Sequence, residues 1–115
     1  MKSSLQAMTS LLLAGIIVLL TSPVVRAAES PDGAAVYKQK CQMCHGADGK
    51  GFPAIKSPDM TDPKWQASVT DKEMTEVIKN GKKGTPMPAF ADKLKDEEIQ
   101  AVVKFIRTLD SSKKK

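Results

Sequence analysis

Cys41-Gln42-Met43-Cys44-His45 is the stretch on which the reading of this chain turns. Its cysteines are the only two in the sequence, and its histidine is the only one. Thiols three residues apart fall on one side of a helical turn, because a helix repeats every 3.6 residues. An imidazole follows directly. A disulfide would close a very small loop and leave His45 without a role. A thioredoxin-like redox pair wants a βαβ pattern, and none is visible. A zinc site needs four ligands and would have to recruit a carboxylate from far away. The pattern that accounts for all three side chains is Cys-x-x-Cys-His, the attachment signature of a c-type haem. Cys41 and Cys44 would form thioethers with the two vinyl groups of one haem edge, and His45 would offer an imidazole to the iron from one face.

The flanking sequence agrees with that chemistry. Lys2 opens a weakly positive start, Leu11 to Leu20 is an uninterrupted apolar run, and Val25-Arg26-Ala27 is a small-x-small cleavage site. Together they read as a secretory signal over residues 1–27, hence export to the periplasm. An uncleaved anchor is the alternative, but a membrane span needs about 20 apolar residues. The remaining domain, 28–115, holds 88 residues. Domains this small bury a modest share of their surface and commonly need a staple. Aromatic residues are few, and a covalently held haem would supply the missing apolar bulk.

The whole chain carries a net charge of +5. Lys2 and Arg26 leave with the signal, so 16 basic residues face 13 acidic ones in the domain, and Lys113-Lys114-Lys115 equal the excess. That balance argues against nucleic-acid binding. Electrostatic steering must come from local patches. Lys38, Lys40, Lys50, Lys56, Lys79, Lys82, Lys83 and Lys93 lie near the segments expected to frame the haem edge, where a positive rim would attract redox proteins with acidic docking surfaces. The alternative is a solvated surface of mixed charge.

The pattern along the chain is all-α. Ser30 as cap, Pro31 at the first position and Asp32 open a first helix that continues into the haem motif. Gly46, Gly49 and Gly51 end it, and an irregular loop with Pro53, Pro58 and Pro63 reaches to about Trp65. Thr70-Asp71-Lys72-Glu73 is a capping box. It starts a helix with Met74, Val77 and Ile78 on one face and Gly81 as its stop. Gly84-Thr85-Pro86-Met87-Pro88 is a proline-stiffened loop. A last helix from about Asp96 to Leu109 carries the apolar stripe Ile99, Val102, Val103, Phe105, Ile106 and Leu109. Asp96 is expected to cap it, or its first turn to fray, because Lys95 before it is a poor cap. Lys113 to Lys115 read as a disordered tail.

Taken together, the motif, loop, capped helix, Met87 and terminal helix make the mature chain resemble a bacterial class I cytochrome c. The resemblance implies three to four helices and loops wrapped around one haem c, and the carriage of single electrons between redox partners by a monomer with no membrane insertion and no catalysis of its own. It pairs His45, the proximal iron ligand, with Met87 in Pro86-Met87-Pro88-Ala89-Phe90 as the distal one. A thioether is soft and neutral, so a Met/His pair raises the reduction potential. Flanking prolines fix their own φ and restrict the preceding residue, which holds Met87 in a pre-set loop. Among rival methionines, Met43 lies inside the motif, Met74 belongs to an apolar helix face, and Met60 matches a haem-lining position of the family.

The resemblance also assigns supporting roles. A ligating histidine donates its other ring N–H to an oxygen, and the family uses a proline carbonyl in the following loop. Ser57-Pro58-Asp59-Met60 fits that segment, so Pro58 is the choice and Pro53 the competitor. Gly33 and Tyr37 match positions where the first helix crosses the last. Trp65 either donates its indole N–H to a haem propionate or packs on the haem edge, and Thr85 is similarly ambiguous. Two other functions stay open: a five-coordinate gas sensor or peroxidase-like enzyme, which would need an open iron and distal acid–base groups, and a dedicated electron-transfer subunit of one oxidoreductase.

Overall fold

The computed structural model describes residues 22–24 and 29–114. The signal sequence expected over residues 1–27 and its cleavage site lie almost wholly outside the described residues. Among these residues the regular structure is helical throughout: α1 (Gly33–Lys40), α2 (Gln42–His45), α3 (Pro63–Ser68), α4 (Asp71–Asn80) and α5 (Asp96–Thr108), with 3₁₀ turns at Pro53–Ile55 and Ser111–Lys113. No helix among the described residues is long and apolar enough to cross a membrane.

Among the described residues there are five helices where three to four were expected, for two local reasons. The first helix breaks at Cys41, whose φ of −114° departs from helical geometry, so the haem motif forms its own short α2. The stretch read as loop up to Trp65 also contains α3. Asp62 caps α3 by accepting from the Lys64 N–H at 3.0 Å, and Pro63 sits at the first position, where its missing N–H costs nothing. The start of α1 moves as well. Asp32, not Ser30, is the cap, and its carboxylate accepts from the Ala34 N–H at 2.9 Å.

Both expected termini of α4 form. Glu73 N–H donates to Thr70 Oγ1 at 3.1 Å, and Thr70 N–H donates back to the Glu73 carboxylate at 2.7 Å. Gly81, with φ of +72°, ends the helix in a conformation glycine adopts freely. Lys95 occupies the cap of α5. Its side chain has no acceptor to offer, so only half a box forms: Lys95 N–H donates to Glu98 at 2.8 Å.

The core lies where α5 meets α1 and α4. Ile99, Val102 and Val103 on α5 are essentially inaccessible, and Val36 and Tyr37 of α1 and Met74 and Ile78 of α4 join them. Each such burial contributes about 1.5–3 kcal/mol. Gly33 is the point of closest approach. A Cβ there would stand 2.6 Å from the Ala101 carbonyl carbon and 3.1 Å from Phe105 Cβ. Four residues on, the Tyr37 ring packs on Phe105 with centroids 5.1 Å apart. The expected crossing of the first and last helices is therefore formed, and it fixes the direction in which α1 delivers Cys41.

A cavity lined by the haem motif and a distant methionine

The scaffold leaves open a cavity of about 430 Å³, within the range of about 300–1,000 Å³ usual for ligand sites. Cys41, Cys44 and His45 line it from the α1–α2 corner, and Met87 lines it from the loop beyond α4. Pro58, Met60 and Trp65 line it from the intervening segment. Met74, Val77 and Ile78 bring the apolar face of α4 to it. The residues read as site residues from the sequence thus converge on one space, though they are spread over nearly fifty positions.

The chemistry of the lining suits a group held by sulfur and nitrogen. Neither cysteine is in a disulfide. Burial first, and then neighbouring Cys44, pushes the Cys41 thiol up to about 11, so it is not an activated thiolate at neutral pH. Burial pushes the His45 pKa down, which favours the neutral imidazole that binds metals. His45 Nδ1 is buried and makes no hydrogen bond. A buried polar atom without a partner is rare, and this one sits on the ring beside two free thiols. The site fits a covalently attached haem.

The link from His45 to Pro58 differs from expectation. Nδ1 has no bond to the Pro58 carbonyl or to any other acceptor. The Pro58 carbonyl oxygen instead lies over Gly51, where a Cβ would stand 2.5 Å from it. Pro53 opens a 3₁₀ turn, and its carbonyl accepts from Lys56 N–H at 3.0 Å. Of the two prolines, Pro58 is the one on the cavity wall.

Of the eight lysines expected near a haem edge, Lys56 and Lys82 line the cavity. Lys79 turns to Asp96, with 2.8 Å between charged atoms, and Lys93 lies over the Phe90 ring at 5.7 Å.

One part of the site left no mark in the sequence. Buried Gln66 on α3 donates through Nε2 to the Met60 carbonyl at 2.6 Å and to the Ile106 carbonyl at 2.9 Å. Arg107 on α5 donates through Nη1 to the Gln66 carbonyl at 2.6 Å and to its Oε1 at 2.9 Å, through Nη2 to the Val69 carbonyl, and through Nε to Asp71 at 2.7 Å. The pair ties the cavity-lining Met60 and Val69 to α5.

Fold and site together define a c-type cytochrome, and comparison with known proteins places it further. The chain belongs to the family described as "Cytochrome C oxidase, cbb3-type, subunit III", which matches over residues 28–106. The chain is 30% identical over 91 residues to the cbb3-type cytochrome c oxidase subunit FixP of Bradyrhizobium sp. (strain ORS 278), covering 79% of this chain and 31% of that one. It is 34% identical over 88 residues to the dihydro-heme d1 dehydrogenase of Pseudomonas aeruginosa, covering 76% of this chain and 17% of that enzyme. Among solved structures, the KustC0563 c-type cytochrome aligns with a TM-score of 0.66 at 32% identity, over 70% of this chain and 99% of that one. The chain therefore spans about a third or less of the curated relatives it matches, and its match covers nearly the whole of the KustC0563 chain. The class I cytochrome c reading and the covalently bound haem c with its iron agree with all of these. The chain is a c-type cytochrome.

Proposed function

We propose that this chain is an exported mono-haem electron carrier of the periplasm, which takes up and releases one electron through the exposed haem edge. The observation that carries the reading is that His45 and Met87 line the same cavity as the two thiols. In this reading Cys41 and Cys44 would hold the haem by thioethers, and His45 and Met87 would be the residues that hold its iron. The haem supplies a one-electron iron couple, which a methionine ligand places at high potential. The apolar wall of α4 excludes water, and Pro86 and Pro88 restrict the Met87 loop, so the site changes little when the iron changes charge. With His45 and Met87 both engaged in this way, the chain would leave no open position for a substrate at the iron.

Pro58 and Trp65 are shaping residues of the wall. Lys56 and Lys82 at the cavity are the best-placed of the lysines for steering an acidic partner. Titration of the holoprotein with a one-electron reductant tests the proposal. Uptake of one electron per chain at one potential, followed by its transfer to a redox partner at rates that fall with ionic strength, is the expected result. Rates indifferent to salt would remove the steering role.

A second reading rests on the FixP relatives, which are oxidase subunits. In it the same chemistry serves one dedicated oxidoreductase. Recovery of the tagged chain in a stable complex with such an enzyme would favour this reading, and recovery as a free monomer favours the carrier.

A further inference from the structure

Pro86 and Pro88 have no N–H, so the only backbone donor in Pro86-Met87-Pro88 is that of Met87 itself. It does not go unpaired. Met87 N–H donates to Thr85 Oγ1 at 3.3 Å, and that hydroxyl donates in turn to the Lys82 carbonyl at 2.8 Å. Thr85 N–H reaches the same carbonyl at 3.2 Å. On the other side, Lys82 N–H donates to the Met87 carbonyl at 3.2 Å. Both backbone groups of Met87 are thereby returned to Lys82, just past the end of α4. The next residues are pinned to the same helix end, by Phe90 N–H to the Ile78 carbonyl at 2.9 Å and Ala91 N–H to the Lys79 carbonyl at 3.2 Å. Gly81 makes the approach possible, because a Cβ there would stand 2.8 Å from the Met87 carbonyl oxygen.

From this arrangement we infer that the Thr85 hydroxyl is a positioning residue for the distal face of the haem site. It relays the Met87 N–H to the end of α4 and so holds the Met87 thioether at the cavity. The inference rests on the reading of Met87 as the distal ligand and adds the group that keeps it in place. Only a side chain that accepts and donates at once can do this, which a hydroxyl does and a methyl group does not. Thr85 reaches no iron and acts through Met87. Its loss should therefore leave haem attachment and the equilibrium fold largely intact and make Met87 easier to displace.

The test uses the reduced holoprotein and the rate at which carbon monoxide replaces the distal ligand, comparing the parent with Thr85→Val, Thr85→Ser and Met87→Ala. Thr85→Val keeps the shape and removes the relay, and it should speed carbon monoxide binding by about tenfold. Thr85→Ser keeps the hydroxyl and should bind at close to the parent rate. Thr85→Val binding at the parent rate, or Thr85→Ser binding as fast as Thr85→Val, would overturn the inference. Met87→Ala separates it from the reading beneath it: unchanged carbon monoxide binding in that variant removes Met87 as ligand, and this inference with it. Should Thr85→Val fail to fold, exchange of the Met87 amide hydrogen in the parent protein decides. Protection supports the relay, and exchange at the rate of an open loop overturns it.

Discussion

The Tyr37 hydroxyl donates to the Gly46 carbonyl at 2.7 Å, in the interior and across nine residues. This bond joins α1 to the residue that follows His45. The carbonyl of His45 itself accepts from Gly51 N–H at 2.8 Å. The end of the haem motif is thus held by a side chain on one flank and a glycine turn on the other.

Tyr37→Phe should keep the ring contact with Phe105 and lose this bond, leaving a buried carbonyl without a partner at a cost of about 1–3 kcal/mol. Burial first, then Cys41 and Asp48, pushes the Tyr37 pKa up to about 12, while an unfolded tyrosine titrates near 10. The folded state therefore holds its proton where the unfolded state has lost it, and stability should fall as pH climbs from about 10 towards 12. Denaturation across that window should show the slope in the parent and its absence in Tyr37→Phe.

Gly33→Ala places a methyl group against the Ala101 carbonyl. The backbone of α5 cannot yield as a flexible side chain would, so α1 must move away. A loss of about 3 kcal/mol is expected, read as a lower midpoint in chemical denaturation of the holoprotein.

Arg107→Met keeps much of the aliphatic stem and removes the donors to Gln66, Val69 and Asp71. The carbonyls left behind are partly buried, and a loss of about 2 kcal/mol should follow. Because the pair is tied to the Met60 carbonyl, the haem absorption should change along with stability. A change in stability with an unaltered haem spectrum would limit the pair to a structural role.

Thr70→Ala breaks the capping box of α4 and should cost about 1 kcal/mol. Hydrogen bonds from the Thr70 backbone and hydroxyl hold the Glu73 carboxyl below its ordinary range. A carboxyl so depressed stabilises the fold above its unfolded pKa and loses that effect as pH falls through the folded one. Acid unfolding should therefore be less steep in Thr70→Ala than in the parent.

Cys41→Ala or Cys44→Ala should impair covalent haem attachment, visible as haem lost from the denatured chain. Met87→Ala should keep the haem attached, lower the reduction potential and open the iron, seen by redox titration of the purified variant.

Features set by neighbouring residues were legible in the sequence. The Thr70–Glu73 box, the Gly81 stop and the stripe on α5 depend on spacings of three and four residues, and they formed as read. Gly33 and Tyr37 came from family resemblance, and the crossing they imply is present. What escaped had other causes. Three prolines between Gly51 and Trp65 obscured α3, although Asp62-Pro63 is a sound helix start. Ser30 and Asp32 are both good caps, and only the fold selected Asp32. Gln66 and Arg107 lie 41 positions apart, so no local pattern could join them. The Thr85 relay was invisible for a related reason: its meaning depends on the missing N–H groups of two prolines and on where α4 ends.

The most direct measurement is the absorption spectrum of the mature holoprotein, oxidised and reduced, with carbon monoxide added to the reduced form. A low-spin c-type spectrum with the weak red band of sulfur bound to ferric iron, which carbon monoxide shifts only slowly, is the predicted result and would make His45 and Met87 the two iron ligands. A high-spin spectrum that shifts at once with carbon monoxide would contradict the account, because the iron would then be open and the site one for binding a ligand rather than passing an electron.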